Sequence, residues 1–135
     1  MSTQPEGKVV PKSEGDLMSL VNLTPHAISI GHIGSSGKYQ EDKVIQPSGK
    51  AVRFEMLRSP GTSIDTIPVQ RVTYGDIKDM PAPLPGVGYI VSMPLAQRLR
   101  VVDPRRQDIY LSDSTDAFRD AQGQILGVPR LLQCE

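Results

Sequence analysis

A chain of 135 residues with 15 basic and 15 acidic side chains fits one ordinary core and carries no net charge. That balance argues against a nucleic-acid polymer as the main partner, which would draw on surplus Lys and Arg, yet leaves room for a small anion held by a few arginines. With 38% hydrophobic residues, no Trp and two Phe, the core must be built from Val, Ile and Leu, a composition that favours strands.

Residues 1–16 offer only Val9 and Val10 to bury among Gly, Pro, Ser and charge, and are predicted to form a disordered tail ahead of one β-rich domain over residues 17–135. Order is expected from Leu17, where LMSLVNL and AISIGHI flank the turn Thr24-Pro25-His26. The stretch from Gly31 to Lys43, with Gly31, Gly34 and Gly37, suits an exposed loop. Val44 and Ile45, the turn Pro47-Ser48-Gly49 and Ala51 to Leu57 read as a hairpin, with Val52, Phe54 and Met56 on one face and Arg53 and Glu55 on the other.

After a turn at Ser59-Pro60-Gly61, the segment IDTIPVQRVTYG suits a further strand, and the proline-rich Asp76 to Pro85 a connector. Val87 to Val91 is predicted as a buried central strand that runs into Ser92, a good N-cap, with Pro94 in the first turn of a helix over residues 93–101. Leu95, Ala96 and Leu99 form its apolar stripe, and Asp103-Pro104 ends it. DIYLSD, a hairpin with its tip at Gln122-Gly123, and a closing strand over Ile125 to Leu132 complete the chain. The fold class is α+β: a small, mainly antiparallel β-rich domain with one clear helix.

Apolar stretches such as Val87 to Met93 fall far short of a membrane span, and the N-terminus lacks the apolar core of a signal peptide, so a cytoplasmic address is expected. The single cysteine, Cys134, excludes an internal disulfide and a cysteine-based zinc cage. Neither a phosphate-cradling glycine loop nor a Gly-x-Ser-x-Gly elbow is present, and no cofactor or metal is expected. His26 and His32, six residues apart on an extended chain, would stand roughly 20 Å apart, too far to share a metal. His26 reads first as a residue that fixes its turn, with ligand contact as the alternative. Asp113, Asp116 and Asp120 read first as solvated turn residues, with acid–base chemistry as the alternative.

Four arginines, Arg98, Arg100, Arg105 and Arg106, lie within nine residues at the helix end and beyond it. A dipole-complementing, solvated cluster is one reading; capture of phosphate by bidentate guanidinium groups is the other. Tyr89, Tyr110 or Phe118 could stack a flat group beside them, and Arg53 and Arg71, on polar faces of predicted strands, could add to the site.

The pieces N-L-T-P-H (Asn22 to His26), P-S-G (Pro47 to Gly49), I-P-V (Ile67 to Val69), T-Y-G (Thr73 to Gly75), P-G (Pro85-Gly86), Y-I-V-S (Tyr89 to Ser92) and R-D-x-x-G-x-I-x-G (Arg119 to Gly127) span most of residues 20–130. In that order they resemble a family of small proteins of phages and bacteria. Small β-rich phage proteins include oligomeric sponges, similar to the Thoeris anti-defence proteins, which sequester nucleotide immune signals without cleaving them.

The resemblance implies a non-enzymatic, homo-oligomeric phage protein of the bacterial host's cytoplasm that captures a small nucleotide-like anion. In this sequence the contacts would fall on Arg98, Arg100, Arg119, Tyr89, Phe118 and His26, with Arg53 and Arg71. The alternatives are a protein–protein interaction module using sheet edges and the Gly31 to Lys43 loop, and a nucleotide hydrolase built on His26 with Asp113 or Asp116.

Overall fold

The computed structural model describes residues 19–135; the expected tail over residues 1–16 lies outside them. The protein is α+β and β-rich, with ten strands, one α-helix and one short 3-10 turn among the described residues. They form two compact units, one of residues 19–51 with 82–135 and one of residues 52–81. No helix among the described residues is long and apolar enough to cross a membrane.

The larger unit is built on a four-stranded sheet in the order β1 (Ser19–Asn22), β6 (Val87–Ile90), β7 (Ile109–Ser112), β10 (Leu131–Gln133). Antiparallel pairing prevails in the molecule, but here β6 runs parallel to both β1 and β7. A parallel pair needs a crossover, and α1 (Met93–Val102) supplies it between β6 and β7. Tyr89, Ile90 and Val91 are buried, as a central strand requires, and Leu95, Ala96 and Leu99 are the buried stripe of α1. Full burial of each of these Leu and Ile side chains contributes about 1.5–3 kcal/mol.

Ser92 takes the extended N-cap backbone, and its carbonyl accepts the Ala96 N–H, but its hydroxyl makes no capping bond. Pro94, in the first turn, removes one of the two amides such a hydroxyl reaches.

Two hairpins complete this unit. β2 (Ile28–Ile33) pairs antiparallel with β3 (Tyr39–Ile45), and β8 (Phe118–Arg119) with β9 (Ile125–Gly127). They join where Ile30 bridges Val128, with Gly31 N–H donating to Val128 O and Val128 N–H to Ser29 O. The expected Gly31 to Lys43 loop is therefore mostly strand, and only its centre turns. Tyr39, Val44 and Ile45 favour extended backbone, and the polar residues between them face solvent on a two-stranded sheet.

The expected hairpin of residues 44–57 does not form, because β3 is taken by β2. Instead β4 (Arg53–Pro60) pairs with β5 (Gln70–Lys78), and these strands make up the smaller unit. Pro60 is tolerated as the last residue of β4, and Asp76 to Lys78 belong to β5 instead of a connector. A bulge sets Gly75 and Asp76 against Glu55, so Phe54–Ile77, Met56–Tyr74 and Arg58–Val72 share one face. Phe54 and Tyr74 meet edge-on at 5.5 Å on that face.

Candidate functional site

Within the larger unit the predicted contacts do not converge on one site, and Arg53 and Arg71 belong to the smaller unit. Tyr89 is only 2% exposed, its hydroxyl donates to Ala82 O at 3.2 Å, and the Arg106 guanidinium lies 5.7 Å from its ring centre. It is a core residue and offers no face to a ligand. Phe118 packs on Tyr39, with ring centroids 5.3 Å apart. Arg119 donates to Gly123 O at 2.7 Å and so ties its own hairpin turn. Arg53 and Arg71 lie opposite Lys78 and Ser59, at the two ends of the β4–β5 ladder, roughly 20 Å apart at the rise of a strand.

His26 is exposed, and it is its backbone that holds the turn. Asn22, 1% exposed, donates from Nδ2 to His26 O (2.8 Å) and Ile45 O (3.1 Å). Its Oδ1 accepts from Thr24 N–H (2.9 Å) and Thr24 Oγ1 (2.6 Å). The N-L-T-P-H motif is thus an Asx turn whose buried side chain is fully satisfied.

Nor do the three aspartates form an acid–base set. Arg130 bridges Asp113 at 2.5 Å and Asp116 at 3.0 Å, while Asp120 Oδ1 accepts from the backbone N–H of Gln122 and Gln124. Three side-chain pairs on β2–β3 carry no signal in the sequence. His32 Nδ1 meets Asp42 Oδ2 at 2.8 Å, and Ser29 Oγ bonds both Tyr39 Oη (2.6 Å) and Glu41 Oε1 (2.7 Å). Among the described residues no group of three or more His, Cys, Asp or Glu side chains is placed to hold a metal ion.

What does converge is the segment after the helix. Arg105, Arg106, Gln107, Asp108 and Tyr110 line an open basin of ≈ 450 Å³ together with Pro83, Leu84, Val87, Asp103 and Gln133. Ile109 and Leu111 of β7 are buried, and alternation along the strand turns Tyr110 to the other face of the sheet. Its ring lies over Gly88, where a Cβ would stand 2.6 Å from Tyr110 Cε2 and displace it.

Within the basin the two arginines differ. Arg106 makes a bidentate pair with Asp108, Nε to Oδ1 at 3.0 Å and Nη2 to Oδ2 at 2.8 Å, and its side chain is 7% exposed. This hydrogen bonding raises the Arg106 pKa and holds its charge on Asp108. Arg105 is exposed and has no ion-pair partner among the described residues. Burial, with Asp108 adding to it, pushes the Tyr110 hydroxyl above its ordinary value, so it remains a donor at neutral pH.

Arg100 borders a separate recess of ≈ 10 Å³, about one water in size, beside Cys134. Burial raises the Cys134 thiol while Arg100 opposes the shift. Arg98 keeps a buried Nε without a hydrogen-bond partner among the described residues.

Comparison with protein-family models, with curated proteins and with solved structures yields no match.

Proposed function

We propose that this protein is a binding protein that captures a small anionic, nucleotide-like molecule in the basin after α1 and releases it uncleaved. The observation that carries this reading is the company Arg105 keeps: a guanidinium without an ion-pair partner among the described residues, beside a half-buried tyrosine and two side-chain amides, over the apolar Pro83, Leu84 and Val87, with the Asp103 carboxylate also in the lining. A guanidinium grips phosphate oxygens, Tyr110 and the amides donate or accept at a ring edge, and the apolar floor takes a flat face. No nucleophile paired with a base lines the basin, which favours capture over turnover.

In this proposal Arg105 and Tyr110 take the roles expected of Arg98, Arg119, Tyr89 and Phe118. Hydrolysis through His26 has little support, since Asp113 and Asp116 are engaged by Arg130. Titration calorimetry with a panel of ribonucleoside mono- and diphosphates tests the assignment. Arg105→Ala weakens the tightest member by about tenfold or more, the worth of one charge-assisted contact, while Arg119→Ala leaves it unchanged. Equal affinity in Arg105→Ala and the wild type removes the basin from the account.

A further inference from the structure

We infer that the apolar face of the β4–β5 unit is where a second copy of this chain docks. This goes beyond ligand capture and rests on a different unit. A two-stranded hairpin on its own is marginal in water and gains stability when its apolar face is covered. Within this unit no described residue covers the face made by Phe54–Ile77, Met56–Tyr74 and Arg58–Val72. Met56 and Tyr74 are 50% exposed and Val72 45%, and the tip adds Ile64 at 65% and Ile67 at 61%.

Together these side chains present roughly 500 Å² of apolar surface, at the upper end of what a monomer leaves open. Two copies would bury about 1,000 Å² between them, the size at which a specific interface begins.

The arrangement of the face selects a copy of itself as occupant. Phe54 and Arg58 stand two residues either side of Met56, and Arg58 is the one charged residue among the three pairs. Two hairpins stacked face to face and antiparallel about the Met56–Tyr74 pair set each Arg58 over the other copy's Phe54, an attractive cation–π contact made twice. A parallel stack would lay each Arg58 over the other copy's Val72 and lose that contact. The opposite face carries Arg53, Lys78, Glu55, Arg71 and Thr73, with Leu57, 56% exposed, the one large apolar side chain among them.

Sedimentation equilibrium of the full chain between about 1 and 100 μM is the test, a range that brackets a micromolar dissociation constant. The wild type sediments as a dimer or an even multiple of one. Met56→Glu raises the dissociation constant by about tenfold or more, and Thr73→Glu, on the solvated face, leaves it unchanged. Circular dichroism checks that each variant is folded; if Met56→Glu is not, Val72→Lys probes the same face. A wild type that is monomeric throughout, or folded face variants that associate as tightly as the wild type, would overturn the inference.

Discussion

Asn22 reaches Ile45, 23 residues along the chain, with a buried hydrogen bond from its side-chain amide to the Ile45 carbonyl at 3.1 Å. The same side chain holds the turn at Thr24 and His26, so it couples the end of β1 to the end of β3. Asn22→Ala leaves the Ile45 carbonyl and the Thr24 amide without these partners. The expected loss is about 2–4 kcal/mol, read as a lower urea midpoint with an unchanged m-value. His26→Ala, which keeps the backbone acceptor, changes stability by less than about 0.5 kcal/mol.

The Tyr39 hydroxyl lies against Gly127, where any Cβ would overlap it and would also stand 2.8 Å from Ser29 O. Gly127→Ala therefore destabilises by about 1–3 kcal/mol. Removing the hydroxyl in the double variant Gly127→Ala/Tyr39→Phe recovers part of that loss. A double-mutant cycle measures the coupling, expected at about 0.5 kcal/mol or more.

Alkaline pH probes the basin through Tyr110 and the separate recess through Cys134. The Tyr110 hydroxyl titrates above its ordinary value of 10.0, chiefly through burial, and the Cys134 thiol above 9.0 for the same first cause. A folded-state value above the unfolded one contributes stability that is complete below the unfolded value and is lost as pH rises through the folded one. Thermal denaturation should show the melting temperature falling from about pH 9 upward. Tyr110→Phe flattens the part of that fall above pH 10, as Cys134→Ala flattens the part that begins near pH 9.

Asp108 withholds the Arg106 guanidinium from any ligand in the basin. Asp108→Asn keeps the shape, removes the negative charge and frees Arg106 for a bound anion. Two opposite effects are expected: stability falls by about 1–3 kcal/mol, and affinity for a nucleotide diphosphate rises by roughly three- to tenfold. Chemical denaturation and calorimetry read the two separately.

The β6–α1 segment was legible because its signals agree: a continuous apolar strand, an N-cap serine, proline in the first turn and a helical stripe at Leu95, Ala96 and Leu99. The hairpin tip at Gln122-Gly123 was legible for the same reason, with Asp120 accepting from the turn amides. Pairing between strands was not. A strand as polar as Tyr39–Ile45 alternates little, and nothing local tells β3 to choose β2 over β4. The parallel neighbours of β6 depend on a crossover that only the folded chain reveals.

The candidate site was legible as an arginine-rich stretch, but not which arginine lacks an ion-pair partner among the described residues. That depends on ion pairs: Arg106 with Asp108 two residues on, and Arg130 with Asp113 seventeen residues back. Tyr89 and Tyr110 stand one register step apart on adjacent strands and so turn to opposite faces of the sheet, Tyr89 buried and Tyr110 half-buried.

Capture without cleavage is tested most directly by native mass spectrometry of the protein incubated with a nucleotide extract, followed by heat release of whatever is retained. A retained mass in the nucleotide range, recovered chemically intact and absent from Arg105→Ala, is the expected result. Recovery of a cleaved product, or the same retained mass in Arg105→Ala, would contradict it.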